Sequence, residues 1–404
     1  MRADWLKARL EDCCKIIGGS TPSTSINTYW DGDICWATPK DLSELEDSYI
    51  SDTPRKITRA GLDSCAATIL PIGSVLFSSR APIGHVAVNT VPMATNQGFK
   101  SFLPKPGCID AKFLYWWLRT NRAYLESLGN GATFKEVSKT VVAQIEILLP
   151  PLSEQQRIAE ILDKAEALRS KRRSALAQLD TLTKAIFLDL FGDPKLNVYN
   201  WPICRIGSVI ANMHGGANLE PDDFIEAGFP ILHKGAIKPN GEILLDVKKK
   251  TFAPYEYALA NRRCQVDRKF IAVTLRDLVP TGPSIGLVAN LKDGPFDEYL
   301  LAQGTYGFLL ELDKIIPEYF VFLSNMPNFR NVLRKYAVGS TQIHIRTPVY
   351  LDIPIPLPPL QLQHEFACRV NLVNRIKAMQ QRSLIDLDTF FASLQYLAFK
   401  GELG

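Results

Sequence analysis

The sequence lacks the markers of several common protein classes. Its eight cysteines include no Cys-x-x-Cys pair, and none of its five histidines lies at zinc-finger spacing, which argues against a zinc site. No stretch approaches the ~18 consecutive apolar residues of a membrane helix, so we expect no membrane association. The first residues contain no apolar segment typical of a secretory signal, and we expect a cytoplasmic protein with reduced cysteines.

The sequence also lacks a strong excess of either positive or negative charge. The sequence has 46 lysine and arginine residues against 42 acidic residues, and its formal net charge is +4. A protein that coats DNA is far more basic than this. The small excess is compatible with a protein that contacts a short stretch of DNA with the help of a partner.

Catalytic motifs are missing as well. The sequence contains neither the Asp/Asn-Pro-Pro-Tyr/Phe motif of a methyltransferase nor the G-x-x-x-x-G-K-[ST] loop of a nucleotide motor. The glycine pair at 18–19 lacks the lysine of a phosphate-binding loop. Pro221-Asp222 with Asp246-Val247-Lys248 imitates a nuclease pattern, but so short a pattern often arises by chance. We therefore predict no catalytic residue and no metal site.

An internal repeat is the strongest feature that the sequence does contain. Leu-Pro-Pro-Leu occurs at 149–152 and again at 357–360, a shift of 208 residues. The same shift aligns Gly131 with Gly339 and Gln155 with Gln363 without a gap. Such a repeat indicates two copies of one structural unit.

A long helical pattern follows each Leu-Pro-Pro-Leu, at 158–191 and 366–399. The first has nine apolar residues at spacings that favour one helix face, and the nine positions shifted by 208 are apolar too. Ser153 and Gln156 form a capping box for the first helix. Stripes this long must be buried, and an antiparallel coiled coil of the two helices is the economical solution. The alternative is that each helix lies on its own globular domain.

The segments before the helices are rich in short β-type runs and Gly/Pro turns. We call them the first head (1–150) and the second head (193–358), and the helices 151–192 and 359–404. The heads are much less alike than the helices: they share Pro82-Ile83-Gly84 with Ser284-Ile285-Gly286, and Gln97-Gly98 with Gln303-Gly304. We predict an α+β fold in which two α/β domains are separated by two long helices, with a pseudo-twofold internal repeat.

Several motifs resemble type I restriction-modification specificity subunits. The segment LPPLSEQQRIAEIL at 149–162, running on to Phe191-Gly192-Asp193, is similar to the central conserved region of that family. GGSTPST at 18–24, YWDGDI at 29–34, SSRAPIG at 78–84 and NQGF at 96–99 resemble one of its target-recognition domains. The second half departs in detail, since its helix lacks the SEQQ start.

The resemblance implies a non-catalytic subunit that binds a bipartite target in double-stranded DNA. It implies assembly with two modification (methyltransferase) subunits and with ATP-dependent restriction subunits. S-adenosylmethionine, ATP and magnesium would belong to those partners, and this chain would bind no cofactor. Two alternatives remain open: a helical protein–protein adaptor that does not bind DNA, and a fragment of a fused restriction-modification enzyme.

Candidate DNA-contacting residues are those suited to base edges or phosphates. Arginine and lysine pair with guanine, asparagine and glutamine pair with adenine, and hydroxyls contact phosphates. In the first head the candidates are Lys40, Ser78, Ser79, Arg80, Asn96, Gln97, Thr133 and Lys135. In the second head they are Lys234, Lys238, Arg276, Gln303, Thr341, Gln342, His344 and Arg346.

Two heads on one face of a duplex should meet major grooves about one helical turn apart, roughly 10 base pairs. Each head would then read about 3–5 base pairs and leave a gap of roughly 5–8. Because the heads differ in sequence, the two half-sites should differ too.

Overall fold

The computed structural model describes residues 5–45, 47–80, 82–131, 135–246 and 249–403. The chain divides into two units, one formed by Met1–Ser174 with Gln381–Gly404 and the other by Ala175–Gln380. The boundary between the units falls inside both long helices. Each unit therefore contains one head and a stretch of each helix.

The first unit is a mixed helix and sheet structure. Its strands are β1 Leu6–Arg9, β2 Cys14–Gly18, β3 Trp30–Ala37, β4 Tyr49–Ile50, β5 Lys56–Ile57, β6 Val75–Phe77, β7 Val86–Asn89, β8 Met93–Thr95, β9 Lys100–Pro104 and β10 Glu146–Leu149. Its helices are α1 Leu10–Cys13, α2 Pro39–Ser43, α3 Arg59–Asp63, α4 Ala111–Thr120, α5 Arg122–Ser127, α6 Lys139–Ala143 and the start of α7 Leu152–Phe191. The strands form sheets of order β2-β9-β6-β7-β4, β5-β3-β8 and β1-β10.

The second unit has the same kind of structure. Its strands are β11 Ile203–Arg205, β12 Ile210–Gly215, β13 Phe229–Leu232, β14 Phe252–Ala253, β15 Gln265–Asp267, β16 Ile271–Thr274, β17 Arg276–Asp277, β18 Val288–Asn290, β19 Glu298–Leu301, β20 Thr305–Leu310, β21 Ile343–His344 and β22 Pro354–Pro356. Its helices are α8 Tyr255–Ala260, α9 Pro317–Asn325, α10 Pro327–Arg334, α11 Thr347–Leu351 and the start of α12 Leu360–Lys400. The sheets have orders β12-β20-β16-β18, β14-β13-β19-β15, β17-β21 and β11-β22.

The repeat extends through both heads. The order β2-β9-β6-β7 in the first head corresponds to β12-β20-β16-β18 in the second. The parallel pair β3 and β8 corresponds to the parallel pair β13 and β19. Even the register is kept, since Arg9 pairs with Glu146 and Arg205 pairs with Pro354 at matching positions. The α+β fold with an internal repeat is confirmed, although few side chains are shared between the heads.

Both long helices begin directly after a Pro-Pro pair, at Leu152 and Leu360, and they have 40 and 41 residues. At 1.5 Å per residue each is about 60 Å long. The first helix begins before Ser153, so the predicted capping box is wrong: Ser153 already lies in the first turn, and Pro151 O accepts from the amides of Glu154 and Gln155. Among the described residues, no helix has the length and apolar composition needed to cross a membrane.

Within each unit the two helices pack against each other in opposite directions. In the first unit, Arg169 lies 2.6 Å from Asp388, and an Arg157 guanidinium nitrogen donates to the carbonyl oxygen of Leu403, just past the end of α12 (3.1 Å). In the second unit, Asp180 pairs with Lys377 (2.5 Å) and Asp189 with Arg369 (3.9 Å). Residue numbers fall along one helix as they rise along the other, so the pairing is antiparallel, as predicted.

Each head also packs on the helix pair. The structure therefore combines the predicted pairing of the two helices with the alternative, in which a helix lies on a globular domain. In the first unit the Trp116 ring lies 5.6 Å from Phe391, and its Nε1 donates to Asp163 (2.9 Å). In the second unit Phe187 lies 5.4 Å from Phe366 and 5.7 Å from Tyr319. The core of each unit therefore runs continuously from the head into both helices.

A buried glutamine joins each head to the start of its helix. Gln155 Oε1 accepts from Asp110 N (2.8 Å), and its Nε2 donates to Cys108 O (3.1 Å) and Pro150 O (2.9 Å). Gln363 repeats the pattern: Oε1 accepts from Ile316 N (3.0 Å), and Nε2 donates to Lys314 O (3.2 Å) and Pro358 O (2.8 Å). Both side chains are buried, so each glutamine satisfies backbone groups that water cannot reach.

Candidate DNA interface

Three segments of each head cross at one place, which we call the crossing site. It comprises 78–80, 96–98 and 135–137 in the first head, and 274–276, 302–304 and 342–346 in the second. In the first head Ser79 N donates to Gly98 O (2.8 Å), and Ser79 O accepts from Val137 N (2.9 Å). In the second, Leu275 N donates to Gly304 O (2.9 Å), and Leu275 O accepts from Ile345 N (2.8 Å). The same backbone scaffold is therefore built twice.

An arginine follows the central residue of both scaffolds. Arg80 forms an antiparallel bridge with Glu136, and Arg276 pairs with His344 in the same way. Glu136 and His344 occupy equivalent positions, related by the shift of 208. Their backbones also pair with equivalent partners, Asn130 (both bonds 3.0 Å) and Val338 (both bonds 2.9 Å).

Two glycines permit this geometry. Gly131 and Gly339, which the repeat had aligned, have φ values of +129° and +120°, a region that side chains disfavour. A Cβ at Gly339 would also clash with the carbonyl oxygen of Gln342. The loop before each Glu136 or His344 position therefore requires glycine.

The first-head candidates have different environments. Ser78 and Ser79 are buried, and their hydroxyls donate to the carbonyls of Pro82 (2.8 Å) and Gly98 (3.1 Å). These two serines hold the loop that presents Arg80 and do not face solvent, because backbone partners occupy their hydroxyls.

The remaining first-head candidates lie nearer the surface. Asn96 Oδ1 accepts from Gly98 N (2.9 Å) and shapes the turn, while the exposed Gln97 accepts from the Thr21 hydroxyl. Lys135 is exposed at the crossing site, whereas Lys40 is exposed on α2, where it pairs with Glu44 (3.7 Å). Thr133 lies outside the described residues.

An ion cluster was not predicted in the first head. The Glu136 carboxylate lies 2.9 Å from Lys100 Nζ and 3.7 Å from an Arg80 guanidinium nitrogen. The Lys100 side chain is only 13% exposed, while Glu136 is 37% exposed. The shift of 208, which aligns Glu136 with the candidate His344, was a signal that could have identified it. No sequence pattern marks Lys100, because it reaches the site only when β9 pairs beside β6.

The second-head candidates are brought together more fully. An Arg276 guanidinium nitrogen donates to Gln342 Oε1 (2.7 Å), directly beside His344. Gly304, which follows Gln303, makes room for Arg276, since a Cβ there would lie 2.7 Å from the arginine Cβ.

Lys234 lies in the same electrostatic environment. Burial is the largest cause of its lowered pKa; Asp277 opposes the shift and Arg276 adds to it. Lys238 instead donates to Gly235 O (2.9 Å) within its own turn. The exposed side chains of the second head include Gln303, Thr341, His344 and Arg346.

Each head also carries an apolar groove at equivalent positions. The groove of the first head, about 350 Å³, is lined by Tyr124, Leu128, Thr140, Val141, Gln144 and Ile145. The groove of the second head, about 430 Å³, is lined by Arg205, Tyr336, Pro348, Val349, Asp352, Ile353 and Pro354. The shift of 208 superposes Leu128, Thr140, Val141, Gln144 and Ile145 on lining residues of the second groove.

Two parts of the chain match one protein family model. Residues 2–178 and 199–383 each match the model described as Type I restriction modification DNA specificity domain. The two matches together span most of the sequence and follow the internal repeat.

Curated relatives carry related names. The chain is 36% identical over 232 residues to the Type I restriction enzyme MjaIX specificity subunit of Methanocaldococcus jannaschii. The matched region covers 53% of this chain and 53% of that protein. It is 22% identical to the MjaVIII specificity subunit of the same organism, over 99% of this chain and 93% of that protein. It is also 27% identical to the Escherichia coli EcoR124I/EcoR124II specificity subunit, over 38% of this chain and 39% of that protein.

Solved structures share the fold along the whole chain. The type I restriction-modification S subunit from M. genitalium has a TM-score of 0.57 at 14% identity, covering 99% of this chain and 98% of that one. A chain from a structure describing complex assembly and conformational transition of the type I restriction-modification system has a TM-score of 0.61 at 16% identity, covering 100% and 99%. With the family model matching both halves, this chain belongs to the type I restriction-modification DNA specificity subunits.

Proposed function

We propose that this chain reads a bipartite DNA target, with each head contacting one half. The observation that carries the proposal is the crossing site, where one backbone scaffold presents Arg80 in the first head and Arg276 in the second. Arginine can form two hydrogen bonds with guanine in the major groove or pair with a phosphate. Because the neighbouring side chains differ, the two heads would read different bases.

The long helices would set the distance between the two half-sites. Their antiparallel contacts within each unit, such as Arg169 with Asp388 and Asp180 with Lys377, support a fixed register. With half-sites about one helical turn apart, the unread gap would be roughly 5–8 base pairs. The role of the chain would be recognition without catalysis, carried out with DNA in the cytoplasm.

The helices would also dock two modification subunits. Leu168 and Ile376, and likewise Leu182 and Phe390, are repeat-related positions of the apolar stripe, yet all four are between 38% and 57% exposed. Exposed apolar residues at matching positions suit two copies of one partner. Restriction subunits would join the same assembly, and S-adenosylmethionine, ATP and magnesium would be bound by the partner subunits.

The DNA-reading proposal is tested with the purified chain and its modification subunits. The complex is incubated with S-adenosylmethionine and a library of randomised duplexes, and methylated bases are mapped by sequencing. We expect a target of two unlike halves and no methylation by the chain alone. Methylation by the chain alone would support the enzyme alternative. If the free chain shows no salt-dependent DNA binding in a filter-binding titration, the adaptor alternative is supported, because phosphate contacts would release counterions.

The docking proposal is tested by charge substitution on the helices. Leu168→Glu together with Ile376→Glu should abolish co-elution with the modification subunit in size-exclusion chromatography, while DNA binding by the free chain persists. Val141→Glu with Val349→Glu changes the two grooves by the same chemistry. Loss of co-elution only in this second variant would transfer the docking site to the grooves.

A further inference from the structure

We infer that the position occupied by Glu136 in the first head and His344 in the second determines which base each head prefers. The inference rests on the proposed DNA-reading function. The backbones at the two positions are paired alike, with Arg80 and Asn130 in one head and with Arg276 and Val338 in the other. A rigid scaffold with one exchanged side chain is an economical way to change specificity.

In the first head the exchanged side chain is a hydrogen-bond acceptor. Lys100 and Arg80 approach different oxygens of the Glu136 carboxylate, and the lysine is nearly buried, so the carboxylate is held in one place. Each carboxylate oxygen has two lone pairs, and the side chain is still 37% exposed. Glu136 can therefore accept from the amino group of cytosine or adenine in the major groove.

The same ion pairs restrain the arginine of the first head. The Glu136 carboxylate, 3.7 Å from an Arg80 guanidinium nitrogen, offsets part of the positive charge that Arg80 would present to guanine or phosphate. The crossing site of the first head is consequently matched to a base edge that offers a hydrogen-bond donor.

In the second head the exchanged side chain carries no negative charge. Arg276 bonds the neutral Gln342, and the exposed His344 can donate a hydrogen bond. The neighbouring acid, Asp277, is buried and accepts from Ser284 N (2.7 Å), so its charge is directed into the protein. This crossing site is matched to the acceptor pair of guanine, O6 and N7.

The experiment exchanges the two residues in the assembled complex. Glu136→His and His344→Glu are each combined with the modification subunits, and methylation is mapped on randomised duplexes. We expect Glu136→His to change the preferred base at one position of one half-site about tenfold or more, leaving the other half-site and the gap unchanged. His344→Glu should act in the same way on the other half-site only.

Two further variants separate base reading from structural support. Glu146→Gln is the matched control, because Glu146 is also a carboxylate paired with a lysine (Lys7, 2.5 Å) in the first head but lies on β10. The complex that carries Glu146→Gln should keep the base preference of the unmodified complex. Glu136→Gln keeps an acceptor oxygen and should weaken discrimination at the same position.

A uniform loss of methylation in Glu136→Gln, with base preferences intact, would overturn the inference and leave Glu136 as a structural ion-pair partner. Thermal unfolding of each variant identifies loss of folding. If the unmodified complex itself reads no bipartite target, the proposed function has failed rather than this inference.

Discussion

The two heads share a backbone but differ in the charge at their crossing sites. In the first, the Glu136 carboxylate lies close to both Arg80 and Lys100; in the second, an Arg276 guanidinium nitrogen donates to the neutral Gln342. The helices, by contrast, keep the same apolar positions and the same buried glutamine. The apolar helix positions and the buried glutamines are constrained because they pack in the core. The crossing site tolerates a change of charge because its scaffold consists of backbone hydrogen bonds.

The largest expected effect follows from changing the length of the two long helices, on which both heads pack. Four residues inserted after Ser174 and four after Arg382 should lengthen the helices by about 6 Å, or roughly two base pairs of DNA. We expect methylation of the original target to be lost and both half-sites to reappear with a wider gap. An equal insertion in the exposed turn at Asn240 is the control. Altered half-sites with the old gap would contradict the role of the helices.

The next effect tests whether the head–helix junctions are equivalent. Gln155→Leu and Gln363→Leu each leave three backbone groups without a partner in a buried place. Each should lower the free energy of unfolding by about 2–4 kcal/mol, measured by urea denaturation. Clearly unequal losses of unfolding free energy would show that the two junctions share their hydrogen-bond geometry but not their contribution to stability.

A smaller effect should distinguish the two arginines. Arg276→Ala should weaken DNA binding by about 1–3 kcal/mol. Arg80→Ala should cost less, because Glu136 already neutralises part of the charge of Arg80. Binding of half-site duplexes at several salt concentrations measures both losses. Equal losses and equal salt slopes would remove the proposed electrostatic difference between the heads.

The smallest effect concerns pH. Burial is the largest cause of a lowered pKa in both His233 and His85; Lys238 and Lys234 add to the shift in the first case and Arg122 in the second. A histidine with a depressed folded pKa binds protons more weakly when folded, so stability falls as the pH drops below its unfolded pKa of about 6.5.

We therefore expect acid between about pH 6.5 and pH 5 to destabilise the protein. Thermal melts should show a smaller loss of stability in acid for His233→Asn and for His85→Asn than for the unmodified protein. Above about pH 7.5 neither substitution should change how stability depends on pH. An unchanged pH dependence in both variants would refute the assignment.

Much of the architecture could be predicted because its signals are local or periodic. The nine-residue apolar stripe predicted both long helices, and the shift of 208 predicted their equivalence. The error was at the helix start: Ser153 follows Leu152, and the proline pair allows the helix to begin earlier than the capping pattern indicated. Pro151 precedes the first helical residue, and its carbonyl oxygen accepts from the amides of Glu154 and Gln155 where the helix begins.

The site was predicted less well. Arg80, Arg276, Gln342 and His344 were identified by residue type, and the structure brings them to crossing sites, although their contact with DNA stays a prediction. Ser78 and Ser79 resemble exposed polar residues in the sequence, but both are buried. Their side-chain direction depends on backbone partners far away in the chain, which composition does not reveal.

Helix periodicity, the tandem repeat and the absence of catalytic motifs were readable from the order of residues alone, because each depends on neighbours within a few turns or on direct comparison of two segments. Which side chains meet Arg80 and Arg276 depended on folding, since the crossing site joins strands and loops separated by dozens of residues. Long-range backbone hydrogen bonds set that geometry, and they bring Glu136 beside Lys100 in one head and His344 beside Arg276 in the other.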